Sequence, residues 1–157
     1  MNDDDRDASP PVRRAAPDFR WEGVETLRYK DEGQAPFRAV TRQVLFQLPE
    51  LQCEWRYFEV APGGHSTLER HEHAHAVMVL RGKGRCLVGD TLHELSVHDL
   101  VTVPPGAWHQ FRADDGTALG FLCLVNRERD RPRLPTPQDI EALSRDPQVA
   151  AFIRTGP

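Results

Sequence analysis

Residues 69–84 read Glu69-Arg70-His71-Glu72-His73-Ala74-His75-Ala76-Val77-Met78-Val79-Leu80-Arg81-Gly82-Lys83-Gly84, a cluster of imidazoles that runs into a β-type apolar segment and a glycine turn. On one extended strand, Glu69, His71, His73 and His75 would share a face. Same-face neighbours sit roughly 6.6 Å apart, so the four would stretch over roughly 20 Å, whereas the ligands of one ion lie about 2 Å from it. A single ion therefore requires the chain to reverse inside the cluster. A turn at Glu72-His73-Ala74 puts Glu69 and His71 near the end of one strand and His75 at the start of the next. His75 then faces inward with Val77 and Val79. This geometry prefers Glu69, His71 and His75 as ligands, with His73 at the rim as the alternative to Glu69. Three imidazoles at two-residue spacing beside a carboxylate favour a metal site over a solvated polar strand.

Downstream, His98-Asp99-Leu100-Val101-Thr102-Val103-Pro104-Pro105-Gly106-Ala107-Trp108-His109 is a short strand, a rigid turn and one further histidine. His109 supplies the remaining ligand. The rest of the chain from Phe19 to Val125 breaks into similar short runs: 39–46, 54–60, 76–80, 85–88, 100–103 and 119–125. Pro62-Gly63-Gly64, Gly82-Lys83-Gly84, Gly89-Asp90 and Pro104-Pro105-Gly106 punctuate them. Many short strands at this spacing predict an all-β, antiparallel sandwich or barrel.

The flanks differ. Residues 1–18 are rich in Asp, Arg, Ala and Pro and bury too little apolar surface to offset their ordering entropy, so a disordered tail is expected there. The barrel domain is expected over 19–126. In the extension 127–157, Thr136-Pro137-Gln138-Asp139 and Asp146-Pro147 are helix starts with proline at the first helical position, predicting two short C-terminal helices. Arg127-Glu128-Arg129-Asp130-Arg131 mixes signs and reads as a solvated connector.

The 157 residues suffice for one ordinary core, and a net charge of −4 without a basic run argues against nucleic acid or an anionic membrane as partner. Three widely spaced cysteines, Cys53, Cys86 and Cys123, make no disulfide framework. The acidic start carries no secretory signal pattern, so a reduced cytoplasm is the expected location. His65 and His93 read as surface residues.

Together the two histidine segments resemble the cupins. Gly64, His71, His75 and Gly82 lie along the first motif of that family, and Pro104, Gly106 and His109 match the second. Relative to the usual pattern, His75 stands where the family carries Glu and Glu69 where it carries the first His, so the inventory of three histidines and one carboxylate survives the exchange. His98 replaces a usual Gly, and Ala113 a common Asn. The resemblance covers roughly residues 40 to 125 and implies a jelly-roll barrel of about six to eight strands with the metal inside.

Three neutral imidazoles and a carboxylate leave a divalent ion with net positive charge and open positions for water, substrate or dioxygen. Fe(II) is favoured, and Mn, Ni, Cu or Zn are compatible. The leading expectation is a small-molecule metal-dependent dioxygenase. The alternatives are an isomerase, lyase or decarboxylase that works without O₂, and a non-catalytic ligand-binding cupin. Substrate contacts are expected from Arg42, Arg56, Phe58, Trp108, Phe111 and Cys123. A homodimer that covers an unpaired sheet edge is expected, with the N-terminal strands or the C-terminal helices at the interface.

Overall fold

The structure is a computed structural model that describes residues 10–30 and 35–157. The strands are β1 (Ala15–Ala16), β2 (Arg20–Trp21), β3 (Leu27–Arg28), β4 (Arg38–Phe46), β5 (Cys53–His65), β6 (His75–Gly82), β7 (Gly84–Val88), β8 (Thr91–Leu95), β9 (Leu100–Val103), β10 (His109–Ala113) and β11 (Leu119–Asn126). Helices α1 (Pro137–Leu143) and α2 (Pro147–Phe152) follow. The main sheet runs β8-β7-β10-β5-β11-β6-β9, with β4 and β3 added beside β5. Every pairing is antiparallel, and the sheet curls into the expected barrel.

Alternation explains which side faces in. Along β6, Val77 and Val79 are buried while Ala76 and Met78 are exposed. Val40, Phe58, Val60, Phe121 and Val125 join those valines in the interior core. The turn from β6 to β7 needs glycine: Gly82 has φ +70°, and a Cβ there would lie 1.7 Å from the Ala118 carbonyl oxygen. Long β5 carries the sheet through Pro62-Gly63-Gly64 and pairs with β4, β10 and β11.

The helices begin as their sequences predict. Thr136 and Asp139 form a reciprocal capping box at α1, and the Asp146 side chain accepts from Gln148 N at α2. Their apolar residues cover their own barrel: Leu143, Val149, Phe152 and Ile153 pack with Leu68 and Leu87 in a second, outer core. Gln110 pins the chain beyond α2. Its Nε2 donates to the carbonyls of Ser66 and Arg154, both at 2.8 Å, and its Oε1 accepts from Arg154 N at 2.9 Å. No helix among the described residues is long and apolar enough to cross a membrane.

At the N-terminal end, the expected disordered tail covers residues 1–9, which lie outside the described residues, and 10–18, where Ala15–Ala16 pairs with Arg20–Trp21. His93 is exposed as expected, but His65 is not. It is 3% exposed at the end of β5, opposite Arg38 and Arg112, with Nδ1 3.0 Å from the Ser66 carbonyl oxygen. The glycines before it end no strand; they let β5 continue.

Candidate metal centre and thiol

The backbone reverses where the ligand geometry requires. Glu69 forms an isolated bridge with His109, the chain bends at Glu72–His73, and β6 starts at His75. The Pro-Pro-Gly turn is tied to the same place, because Gly106 N donates to the His71 carbonyl at 2.8 Å. Glu69 N donates to His109 O at 3.2 Å, and His109 N to Glu69 O at 2.9 Å. These bonds lock the two histidine segments side by side.

His71, His75 and His109 converge, each offering one ring nitrogen within 4.8 Å of the others. Two of the rings have settled tautomers. His71 Nδ1 donates to the His73 carbonyl at 2.7 Å and His109 Nδ1 to the Ala107 carbonyl at 3.0 Å, which leaves both Nε2 atoms as bare lone pairs. His71 Nε2 lies 2.8 Å from His75 Nε2. Adjacent ligands at about 2.1 Å from a shared ion sit about 3 Å apart, so the donor set fits a divalent cation.

Burial holds His75 and His109 neutral. Desolvation lowers His75 far below its ordinary value, helped by the nearby His109 and His71. Desolvation also lowers His109 to about 4, against the opposing effect of its bond to the Ala107 carbonyl. Neutral imidazole is the form a metal takes.

The other two expected ligands go elsewhere. Glu69 is buried and lines the cavity, but its carboxylate is paired with Lys30 Nζ and stands outside the three-histidine cluster. His73 stacks on His71 with ring centroids 3.6 Å apart, and its Nδ1 lies 2.8 Å from Asp130 Oδ1. Asp130 also accepts from the backbone of Glu72 and His73, and these bonds hold its carboxyl well below the usual range. The 127–131 segment is thus no mere solvated connector: Arg129, Asp130 and Arg131 fold over the cavity.

That cavity measures about 640 Å³. Arg42, Arg56, Phe58, Phe111 and Cys123 line it together with the three histidines, as the sequence suggests. Trp108 does not. His109 and Phe111 face the cavity, so alternation turns Trp108 and Gln110 to the opposite side, and Trp108 packs against the outer core beneath the Arg70 guanidinium.

The feature that histidine spacing missed is the surroundings of Cys123. Its sulfur is 2.9 Å from His75 Nδ1, the ring nitrogen opposite the cluster, and Arg56 Nη2 approaches it at 3.7 Å. Cys123 is 2% exposed, and burial raises its thiol above the ordinary value while Arg56 pulls the other way. Its signal in the sequence was only a small residue in an apolar strand.

Residues 56–125 match the cupin domain family. The 1-methylthio-D-xylulose 5-phosphate methylsulfurylase of Rhodospirillum rubrum is 56% identical over 152 residues, covering 97% of this chain and 95% of the relative. This chain belongs to the cupin superfamily. Two solved cupins carry the likeness into three dimensions. A cupin 2 conserved barrel protein from Rhodopseudomonas palustris is 56% identical with a TM-score of 0.87, covering 92% of this chain and 99% of that one. A cupin-2 domain from Rhodospirillum rubrum is 57% identical with a TM-score of 0.81, covering 91% and 96%. The cupin barrel and its histidine cluster fit a bound metal ion, and none of these names specifies oxygen chemistry.

Proposed function

We propose that this cupin is a metal-dependent methylsulfurylase acting on a 1-methylthio ketopentose 5-phosphate. The observation that carries the reading is a buried thiol, Cys123, set inside the cavity against the ligand His75. The extent of the likeness to the Rhodospirillum rubrum enzyme supports the choice of substrate. The expectation of a dioxygenase finds no comparable support, because the names of these relatives specify no oxygen chemistry.

In a 1-methylthio-2-ketose the C1–S bond lies next to a carbonyl, so its electron pair has somewhere to go when the bond breaks. A divalent ion held by His71, His75 and His109 would act as a Lewis acid on oxygens of the substrate. With His75 Nε2 turned to that ion, its Nδ1 carries the proton and donates to Cys123 Sγ. Arg56 donates from the other side. The Cys123 thiol releases its proton to water in the cavity, with His75 Nδ1–H and Arg56 stabilising the thiolate against the effect of burial, and the sulfur attacks the methylthio sulfur. An S–S bond forms, the C1–S bond breaks, and its electron pair passes through C1 into the carbonyl; a proton then adds to C1. The products are a 1-deoxy ketose 5-phosphate and Cys123 as its methyl disulfide. A small-molecule thiol attacks that disulfide, restores Cys123 and leaves with the methylsulfanyl group. The substrate gains one hydrogen at C1, and the external thiol ends as a mixed disulfide, so atoms and electrons balance.

The test is to incubate the metal-loaded protein with 1-methylthio-D-xylulose 5-phosphate, with and without a small thiol. With thiol, NMR should show a new C1 methyl while the S-methyl signal moves to that of a methyl disulfide, and Cys123→Ser should abolish both changes. Without thiol, mass spectrometry should find one methylsulfanyl group on Cys123. Turnover at an undiminished rate by Cys123→Ser would overturn the reading.

A further inference from the structure

We propose that Arg42, Arg56 and Arg129 form a subsite for a phosphate monoester dianion in the cavity beside Cys123. Only the identity of the sugar that carries the phosphate rests on the function proposed above.

Arg42 and Arg56 reach the same side of the sheet by register. Val44 stands opposite Arg56 and Arg42 opposite Phe58 across β4 and β5, while Cys123 stands opposite Arg56 across β5 and β11. Arg56 is 9% exposed, with its guanidinium 4.9 Å from the centroid of the Phe58 ring. The Nε atoms of both Arg42 and Arg56 are buried and find no hydrogen-bond partner among the described residues. A buried polar group left in that state is costly, and a charged one more so.

The nearest countercharge is inadequate. Glu54 Oε1 is shared, at 3.7 Å from Arg56 Nε and 3.7 Å from Arg129 Nη2, beyond hydrogen-bond reach of either. Among the described residues, three guanidiniums thus share one distant carboxylate, in a protein whose net charge is −4. The mutual repulsion shows at Arg129, which is lowered from its ordinary value first by burial and then by Arg56, against the opposing effect of Glu54. The other carboxylates at the cavity are engaged elsewhere: Glu69 is paired with Lys30, and Asp130 accepts hydrogen bonds from the His73 ring and from the backbone of Glu72 and His73.

A phosphate monoester brings about −1.5 to −2 charges at pH 7 and three acceptor oxygens, which suit the planar donor forks of arginine. The length also fits. From β11 across β5 to β4 is two strand spacings, about 10 Å. An extended ketopentose 5-phosphate can thus set C1 at Cys123 and its phosphate among the arginines.

The test compares D-xylulose 5-phosphate with D-xylulose, with inorganic phosphate as competitor, by calorimetry on the metal-loaded protein. Wild type should bind the phosphorylated sugar at least about tenfold more tightly, since each charge-assisted bond to a dianion is worth about that much. Arg42→Gln and Arg129→Gln should each bring the ratio towards one with D-xylulose affinity unchanged, and Arg42→Lys should retain an intermediate ratio. Wild type without phosphate preference, or a ratio unmoved in all three variants, overturns the subsite. Should Arg42→Gln fail to fold, Arg42→Lys and Arg129→Gln decide alone. A protein that leaves the methylthio substrate intact, yet prefers phosphate through Arg42 and Arg129, refutes the proposed reaction and keeps the subsite. Turnover with a phosphate preference that none of the variants moves does the reverse.

Discussion

Acidifying the metal-free protein from pH 7 to pH 5 should destabilise it, with about 4 kcal/mol of the loss contributed by His75 and His109 and a further part by His65 and His73, which burial also lowers. The first two have folded-state values depressed by burial, His109 to about 4 and His75 far below its ordinary 6.5. At pH 7 the rings are neutral folded or unfolded, so neither affects stability. As pH falls through 6.5 the unfolded chain takes up a proton at each ring while the folded chain does not. Stability then declines by about 1.4 kcal/mol per pH unit per ring, and for His109 the decline levels off near pH 4, where the folded ring also protonates. Integrated from pH 7 to 5, each ring contributes about 2 kcal/mol. Urea unfolding of the chelator-treated protein at both pH values measures the difference, and His109→Gln should reduce it by about 2 kcal/mol. Stability that is flat between these pH values, or a slope that His109→Gln leaves intact, would refute the claim that these rings are held neutral by burial.

Gln110→Leu removes three buried hydrogen bonds, worth about 3 kcal/mol together, and should lower Tm by about 6–12 °C without changing metal content. Differential scanning calorimetry checks this, and a shift under about 2 °C would contradict the clamp. Phe152→Ala empties a site that is 1% exposed in the outer core and should cost about 3–5 kcal/mol. It should also make the segment after α1 the first target of limited proteolysis. Unchanged unfolding and proteolysis would mean that α2 is not seated on its own barrel.

The barrel was legible because apolar runs and turn residues agree. The run 39–46 became β4 (Arg38–Phe46), 76–80 became β6 (His75–Gly82) and 100–103 became β9 without change. β8 and β10 escaped notice for opposite reasons. Thr91-Leu92-His93-Glu94-Leu95 is an edge strand with polar residues between its leucines, while His109-Gln110 buries polar groups that hydropathy assigns to the surface. Two-residue strands such as β3 offer no alternation to read. In the site, spacing gathered His71, His75 and His109, because local geometry forces the reversal between them. What it could not supply were contacts across the barrel: Lys30 to Glu69, His73 to Asp130 and His75 to Cys123 each join residues far apart in sequence. Trp108 was misplaced because its side depends on the phase of β10, which the Pro-Pro-Gly turn conceals.

The most direct measurement of the central claim is metal stoichiometry by mass spectrometry of the intact protein under native conditions, after loading with one divalent ion at a time. Wild type and His73→Ala should each hold one ion per chain, while His71→Ala, His75→Ala and His109→Ala should all lose it. Retention of the ion by all three of those variants, or its loss from His73→Ala alone, would contradict a centre built on those three imidazoles.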